Sequence, residues 1–209
     1  MSTSNEQPPQ SAEAELHPAL SLIPIEEEAA DSEDEEKRTL EGLSVLLVED
    51  QVLLQVLGTK ILKGLGATVS VVNNGVQAVE AMTSMIAGEK AKREAEAANV
   101  QEGSISETSV FPHYDLILMD CKMPEMNGYE ATKEIRKMEA EAKMDMDILI
   151  IAFTSNAPSE NGEDCFAAGM DAYMQKPANA DVMASTILSK LSEKRNRVSS
   201  VAEAVENTA

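Results

Sequence analysis

The sequence is poor in aromatic residues and in cysteine. Only 3% of its 209 residues are aromatic and none is Trp, so the core must be aliphatic and rich in methionine. The two cysteines, Cys121 and Cys165, are too few for a disulfide framework and are typical of a reducing compartment. No apolar run approaches the roughly 18 residues that span a bilayer, and the N-terminus lacks the pattern of a signal peptide. We therefore expect a cytoplasmic or nuclear protein without a membrane segment in this chain.

Positive charge is also scarce. The chain has 17 Lys and Arg against 37 Asp and Glu, a net charge of −20. Twelve of the acids and only two of the bases fall within residues 1–41. A segment with this charge that is rich in Glu, Ser, Pro and Ala is typical of disorder, and we predict a disordered acidic tail over residues 1–42. Because an acidic chain is repelled by phosphate backbones, direct binding of nucleic acid is not expected.

Five short apolar runs alternate with segments of helical periodicity. The runs are Val45–Val48, Thr68–Val72, Leu116–Met119, Ile148–Phe153 and Ala172–Met174. This alternation predicts βαβ units, and therefore an α/β fold with a parallel sheet. In the first helix, from about Val52 to Lys63, the spacing places Val52 and Val56 on or near one face with Leu62 and Leu65.

Two segments fall outside this rhythm. Residues 88–112 are predicted to be an insertion, formed by an overextended second helix and a mobile loop. The fold should tolerate this insertion because long loops cost little closure entropy. The last helix begins after Pro177 and is expected to end near residue 192. Residues 193–209 are predicted to be a flexible tail, although three valines within them have helical spacing.

Polar side chains follow four of the apolar runs, directly after three of them and one residue later after the fifth. Glu49 and Asp50 follow the first, Asp120 the third, Thr154 the fourth and Lys176 the fifth. Because the carboxyl ends of parallel strands share one edge, these groups should converge. Two carboxylates about 4 Å apart repel by roughly 4 kcal/mol at an effective dielectric near 20. The cluster therefore implies either a strongly raised pKa or a hard divalent cation, for which Mg²⁺ is suited because it leaves positions open for phosphate oxygens.

Lys176 and Thr154 complete a set suited to phosphoryl uptake on Asp120. An ammonium offsets phosphoryl charge, and a hydroxyl can donate to a phosphoryl oxygen. Each residue alone would be an ordinary strand-end side chain, and only their joint placement favours the functional interpretation.

Three segments carry a resemblance to a known family: Leu46–Asp50, Asp115–Ala131 and Gly169–Pro177. Together they resemble the receiver domain of two-component response regulators, over about residues 43–192. The stretch Met119–Pro124 and the insertion are most similar to the C-terminal receivers of plant hybrid histidine kinases, particularly the osmosensor type. The resemblance implies a flavodoxin-like, doubly wound, five-stranded parallel sheet of order 2-1-3-4-5 with helices on both faces.

The resemblance also implies roles for the acidic residues. Asp120 would be the phosphoacceptor. Mg²⁺ would be held by Glu49, Asp50, Asp120 and the backbone carbonyl of Lys122.

Further roles are implied at the ends of the fourth and fifth strands. Lys176 would contact the phosphoryl group, and its bond to Pro177 is often cis in this family. Thr154 and Tyr173 would form the switch pair that responds to phosphorylation. Phe153 stands where many relatives have an aliphatic residue. Neither this departure nor the insertion is expected to contact the residues that would accept and stabilise the phosphoryl group.

The implied function is phosphorelay signalling, with a histidine kinase or histidine phosphotransfer protein as partner. His17 and His113 lie in a predicted tail and loop, so the phosphohistidine donor should be another protein. We expect a monomer or weak dimer that only phosphorylates itself and slowly dephosphorylates. Two alternatives stay open. The chain could be the C-terminal part of a hybrid kinase on the cytosolic side of a membrane, passing phosphate to a histidine phosphotransfer protein. Less favoured is an Asp-nucleophile phosphohydrolase, because Lys122 replaces the second Asp of that class.

Overall fold

The structure, a computed structural model, describes residues 39–98, 111–142, 147–155 and 162–206, with side chains to residue 197. These residues belong to one compact unit, Glu36–Ala209. Its elements in chain order are β1 (Ser44–Val48), α1 (Val52–Gly64), β2 (Thr68–Val72), α2 (Gly75–Ala97), β3 (Leu116–Met119), α3 (Gly128–Ala142), β4 (Leu149–Thr154), α4 (Glu163–Ala168), β5 (Ala172–Gln175) and α5 (Ala180–Glu206).

The central strands are buried along nearly their whole length because they are continuous apolar runs. Every residue of β3 and β4 is buried, and β1 is buried from Val45 onward. This burial is typical of parallel strands covered by helices on both faces, and each fully buried Leu or Ile stabilises the fold by about 1.5–3 kcal/mol. The strand β2 is more exposed because it lies at the edge of the sheet.

All strand pairs are parallel and the sheet order is β2-β1-β3-β4-β5. The predicted fold class and strand order are therefore confirmed. The register pairs Val48 with Met119 and Met119 with Ala152. The carboxyl ends of β1, β3 and β4 consequently lie side by side.

Alternate side chains of each strand enter two separate cores. On one face Leu46 and Ile117 pack with Met82 of α2 and Ile135 of α3. On the other face the core includes Leu47 and Leu118 with Leu62 of α1 and Ile187 of α5, a set completed by Leu40 and residues of β4 and β5. Because the side chains of successive strand residues point to opposite faces, both cores can be built from the same strands.

Helix α1 departs from the prediction for its apolar face. Val52 and Val56 are 70% and 61% exposed, whereas Leu62 is fully buried. Leu53 and Leu57 are exposed as well. The first half of α1 carries more apolar side chains than one helix face can bury, so periodicity alone did not identify which of them face the sheet.

Both predicted domain boundaries need correction. Leu40 is fully buried and its N–H donates to the carbonyl of Leu65 at 2.7 Å, so the predicted tail does not extend to residue 42. Helix α5 continues to Glu206 because no Gly or Pro interrupts it after residue 180, so residues 193–206 are helical rather than a loose tail. Lys194 is buried in this extension and donates to the carbonyl of Ile148 at 2.9 Å.

Other parts of the predicted division stay predictions. The disordered tail over 1–38, the loop over 99–110 and the last residues, 207–209, lie outside the described residues. The overextended second helix is present, since α2 runs to Ala97. Cys121 and Cys165 are buried free thiols. Among the described helices, none combines the length and apolarity needed to cross a bilayer.

The first residue of α3, Gly128, provides a test of the packing beside β3. A Cβ atom there would collide with the carbonyl oxygen of Asp120 and the side chain of Met119. We predict that Gly128→Ala lowers the free energy of unfolding by about 1–3 kcal/mol because the loop after β3 must shift. Urea denaturation followed by circular dichroism measures the change.

Gly64→Ala is the matched control, because a Cβ at this exposed end of α1 meets no atom within 4 Å. It should raise stability by up to about 1 kcal/mol, since alanine costs less backbone entropy in a helix. Equal effects of the two substitutions would contradict the packing beside Gly128.

Candidate functional site

Three carboxylates meet at the carboxyl edge of the sheet. The N–H of Glu49 bonds to the carbonyl of Val72 at 3.1 Å, and the N–H of Asp120 bonds to the carbonyl of Val48 at 3.0 Å. These bonds continue the ladders of β1 one residue past the strand ends. Carboxylate oxygens of Glu49, Asp50 and Asp120 lie within 4.8 Å of one another. The structure thus brings together the acidic residues that the sequence placed at one edge.

The ammonium group of Lys176 lies between two of these carboxylates. Its Nζ atom donates to Oδ2 of Asp120 at 2.8 Å and to Oε2 of Glu49. Lys176 is held by its own N–H, which bonds to the carbonyl of Thr154 at 2.9 Å, and its peptide bond to Pro177 is cis, as predicted. Glu49, Asp120 and Lys176 are all buried. A buried carboxylate needs such a partner, because desolvation of an unpaired charge is costly.

One ammonium does not balance three acidic groups. Burial raises the pKa of Glu49 above its usual range, although the ion pair with Lys176 and a hydrogen bond from the N–H of Gln51 oppose this shift. The nearby charge of Asp120 raises the pKa further. The pKa stays above its usual range because the effect of burial exceeds that of the favourable contacts with Lys176 and Gln51.

Asp50 supplies the atom that distinguishes a cation site from a closed ion-pair cluster. Within the described part of the chain, its Oδ1 atom is buried and has no hydrogen-bond partner. Buried oxygens are rarely left unsatisfied, so this atom calls for a ligand. Carboxylate oxygens are the ligands that Mg²⁺ and Ca²⁺ prefer. The residues present therefore fit a hard divalent cation.

The loop after β3 contributes to the same site. The N–H of Lys122 donates to Oδ1 of Asp120 at 3.2 Å, while the side chain of Lys122 is exposed. The two oxygens of Asp120 thus accept from a backbone amide and from Lys176. The participation of the Lys122 carbonyl as a metal ligand stays a prediction.

The remaining predicted residues lie on β4 and β5. Thr154 is buried at the carboxyl end of β4, beside Gln175 in the register. Tyr173 is 42% exposed, and its ring packs edge-on against Phe166 with centroids 6.3 Å apart. Tyr173 therefore points away from the core, and the switching role of this pair stays a prediction.

Phe153 belongs to the site, contrary to expectation. Its ring centroid lies 5.2 Å from Nζ of Lys176, a cation–π distance. The departure from an aliphatic residue was visible in the sequence. The contact of its ring with Lys176 could not be predicted from the sequence, because contact between neighbouring strand ends depends on side-chain direction.

Comparison with known proteins identifies one family over half of the chain. A model of the response regulator receiver domain matches residues 81–188. This range does not include β1, α1 and β2, although both strands belong to the same sheet as β3, β4 and β5. Among curated proteins, Histidine kinase 1 of Arabidopsis thaliana is 43% identical over 162 residues, which cover 73% of this chain. The match spans only 13% of that kinase.

Solved structures of receiver domains are similar as well. The receiver domain of the histidine kinase CKI1 from Arabidopsis thaliana, complexed with Mg²⁺ and BeF₃⁻, is 32% identical with a TM-score of 0.54. The match covers 73% of this chain and 92% of that one. The receiver domain of sensor histidine kinase PA1611 from Pseudomonas aeruginosa, with magnesium in its active-site cleft, is 32% identical with a TM-score of 0.50. Here the match covers 72% of this chain and 98% of the other.

Asp50→Asn tests the fit to a divalent cation. Without metal, the substitution should raise the free energy of unfolding by about 1 kcal/mol because it removes one of three repelling charges. With Mg²⁺, the stabilisation that metal binding gives the wild type should be largely lost. Thermal unfolding in EDTA and in Mg²⁺ measures both effects.

Glu80→Gln removes one charge from an exposed position on α2 and is the control for net charge. It should leave the Mg²⁺-dependent shift in melting temperature unchanged. An Asp50→Asn protein that Mg²⁺ stabilises as strongly as the wild type would show that Asp50 is no ligand.

Proposed function

This chain belongs to the response regulator receiver family, and on that premise we propose that Asp120 accepts a phosphoryl group from a phosphohistidine on another protein. The observation that carries the proposal is the buried Asp120 carboxylate, which contacts Lys176 within a cluster of three carboxylates. The proposed activity is phosphorelay signalling by a stoichiometric acceptor that phosphorylates itself and slowly dephosphorylates.

Asp120 acts as the nucleophile. One of its carboxylate oxygens forms the new bond to phosphorus, the phosphorus–nitrogen bond of the donor breaks, and the electron pair stays on the donor imidazole. His113 of this chain is exposed and precedes β3, at the sheet edge opposite Asp120. His17 lies outside the described residues. A donor on a separate protein is therefore the arrangement we propose.

Side chains around Asp120 suit a group that adds a charge of about −1.5 to −2. Lys176 already contacts Asp120 and offsets phosphoryl charge. The hydroxyl of Thr154, at the end of the neighbouring strand, is proposed to donate to a phosphoryl oxygen. Glu49, Asp50, Asp120 and the Lys122 carbonyl would hold Mg²⁺. When bound, Mg²⁺ neutralises charge on the carboxylates and on the transferring group.

The conformational response is proposed to involve Tyr173. Its ring is partly exposed and packs against Phe166, and we propose that it rotates inward when Thr154 moves toward the phosphoryl group. Such a rotation would change the surface formed by α4, β5 and α5. A ligand or modification shifts a two-state equilibrium only through unequal contacts in the two states, and a Thr154–phosphoryl bond supplies that difference.

We place the partner on the exposed apolar side chains of α1. This surface, the α1 patch, consists of Val52, Leu53, Val56 and Leu57. It starts two residues after Asp50 and therefore borders the acidic site. A cleft of about 320 Å³ shares Leu57 with this patch, and it is lined further by residues of α1, by Phe153 and by Lys176, which contacts Asp120. The occupant we propose is a helical histidine phosphotransfer domain, since exposed apolar patches mark protein interfaces.

Asp120→Asn tests the acceptor assignment. We predict that wild type incubated with Mg²⁺ and acetyl phosphate gains one acid-stable, base-labile phosphate, and that Asp120→Asn gains none because an amide is a poor nucleophile. Intact-mass spectrometry before and after mild base measures the modification.

Asp164→Asn changes an exposed Asp of α4 and controls for the substitution type. It should be phosphorylated like the wild type. Phosphate that is still gained by Asp120→Asn, with the same stability in acid and base, would refute the assignment.

Leu53→Asp tests the α1 patch. We predict at least about a tenfold loss of phosphotransfer from a phosphorylated histidine phosphotransfer protein, because a charge replaces a central apolar contact. Phosphorylation by acetyl phosphate should stay unchanged, since this donor needs no docking surface. Radiolabelled transfer in a rapid-quench experiment separates the two.

Phe111→Asp is the control, because Phe111 is 42% exposed and precedes β3 at the opposite sheet edge. It should transfer like the wild type. If Leu53→Asp reduced transfer from both donors equally, the patch would not be a docking surface.

A further inference from the structure

A chain of amide side chains borders the acidic site on the side of α2. Gln55 donates from Nε2 to the backbone carbonyl of Glu49 at 2.7 Å and to Oδ1 of Asn73 at 2.8 Å. The N–H of Asn73 in turn donates to Oε1 of Gln77 at 2.9 Å. Neutral side chains thus connect the end of β1 to the first turn of α2, and none of them contributes a charge to the site.

Asn74 extends this connection to the loop after β3. It is 7% exposed, and its two amide atoms have separate partners. Its Oδ1 atom accepts from the N–H of Gln77 at 2.9 Å, which caps α2. Its Nδ2 atom donates to Oε2 of Glu125 at 2.5 Å. The next residue, Gly75, donates its N–H to the carbonyl of Met126 at 3.1 Å.

The loop held in this way carries groups of the site. The Lys122 N–H contacts Asp120, and the Lys122 carbonyl is the proposed fourth metal ligand. Glu125 has φ +68°, a backbone conformation unfavourable for a side-chain-bearing residue. A loop does not keep such a conformation without external contacts, and the bonds from Asn74 and Gly75 are contacts of that kind.

We propose that Asn74 is a positioning residue for the Asp120 site, acting through Glu125 on the loop that bears Lys122. The proposal rests on the function proposed above and adds a residue whose side-chain hydrogen bonds go to Gln77 and Glu125 rather than to Asp120 or the proposed metal ligands. Outer residues that orient ligands commonly change metal affinity or activity by 10–100-fold when substituted.

Donor and acceptor chemistry gives a test that separates positioning from helix capping. Asn74→Asp keeps an oxygen for the N–H of Gln77, so the cap remains. It replaces the Nδ2 donor with an oxygen that faces the Glu125 carboxylate. Adding Glu125→Gln restores a donor, now on the other partner, and returns the net charge of the pair to that of the wild type.

The experiment compares wild type, Asn74→Asp, Glu125→Gln and the double variant. Mg²⁺ affinity is measured by calorimetry and the phosphorylation rate with acetyl phosphate, at about pH 8, where ordinary carboxylic acids are ionised. We expect Asn74→Asp to lower both by on the order of tenfold. The like charges that it places beside each other should also lower the melting temperature, and the double variant should restore it. Glu125→Gln keeps an acceptor oxygen and should lie near the wild type, and the double variant should recover most of the loss.

Val76→Asp controls for added charge. Val76 is exposed in the first turn of α2, close to Asn74 in sequence, and its side chain cannot take part in the hydrogen bonds that link Gln55, Asn73, Gln77 and Asn74. It should bind Mg²⁺ and be phosphorylated like the wild type. The proposal is overturned if Asn74→Asp matches the wild type in both measurements, or if the double variant stays as impaired as Asn74→Asp.

The two proposals fail in different ways. If no variant, including the wild type, is phosphorylated, the proposed function fails. Mg²⁺ affinity and its recovery in the double variant then still decide the positioning role. Hydrogen exchange at the N–H of Gly75, which bonds to Met126, provides a third measure. Faster exchange in Asn74→Asp, reversed in the double variant, is the expected result, and unchanged exchange counts against the proposal.

Discussion

The candidate site depends on the balance between one buried ammonium and a cluster of three carboxylates, of which the ammonium contacts two. Lys176 compensates Glu49 and Asp120, but it cannot also compensate Asp50, whose buried oxygen lacks a partner among the described residues. A fully compensated cluster would be an inert ion pair. This shortage of positive charge makes the site suited to a divalent cation, and the cation in turn makes the site suited to a phosphoryl group.

The sheet allows three carboxylates to lie together with too little positive charge, because it fixes the backbone although the carboxylates repel one another. Adjacent strands β1 and β3 place Glu49 and Asp120 one residue past paired strand ends, so the backbone cannot move the two residues apart without breaking the sheet. Two neighbouring parts of the structure then have different roles. The exposed α1 patch is the surface that we propose for the partner, and the hydrogen bonds of Gln55, Asn73 and Asn74 connect the bordering loops without adding charge.

Sequence reasoning succeeded where one physical cause dominates. Apolar runs defined the strands because both sheet faces are covered, and the residues after them were placed at one edge because parallel strands end together. It failed where several apolar positions compete for limited buried area, as in the first half of α1. It also misjudged the ends of the domain, where Leu40 and Lys194 are buried by contacts with Leu65 and Ile148, far away in the chain.

The sequence by itself determined the strand order, through its resemblance to receivers, and the set of acids, hydroxyl and ammonium at one edge. Only the tertiary structure decided which atoms meet: that Lys176 contacts two carboxylates and Phe153, that one oxygen of Asp50 stays without a partner, and that Asn74 reaches Glu125. The physical reason is the distance along the chain over which each feature is decided. Strand formation and edge placement follow from local pattern and chain direction, whereas a hydrogen bond depends on side-chain directions set by packing across the whole sheet.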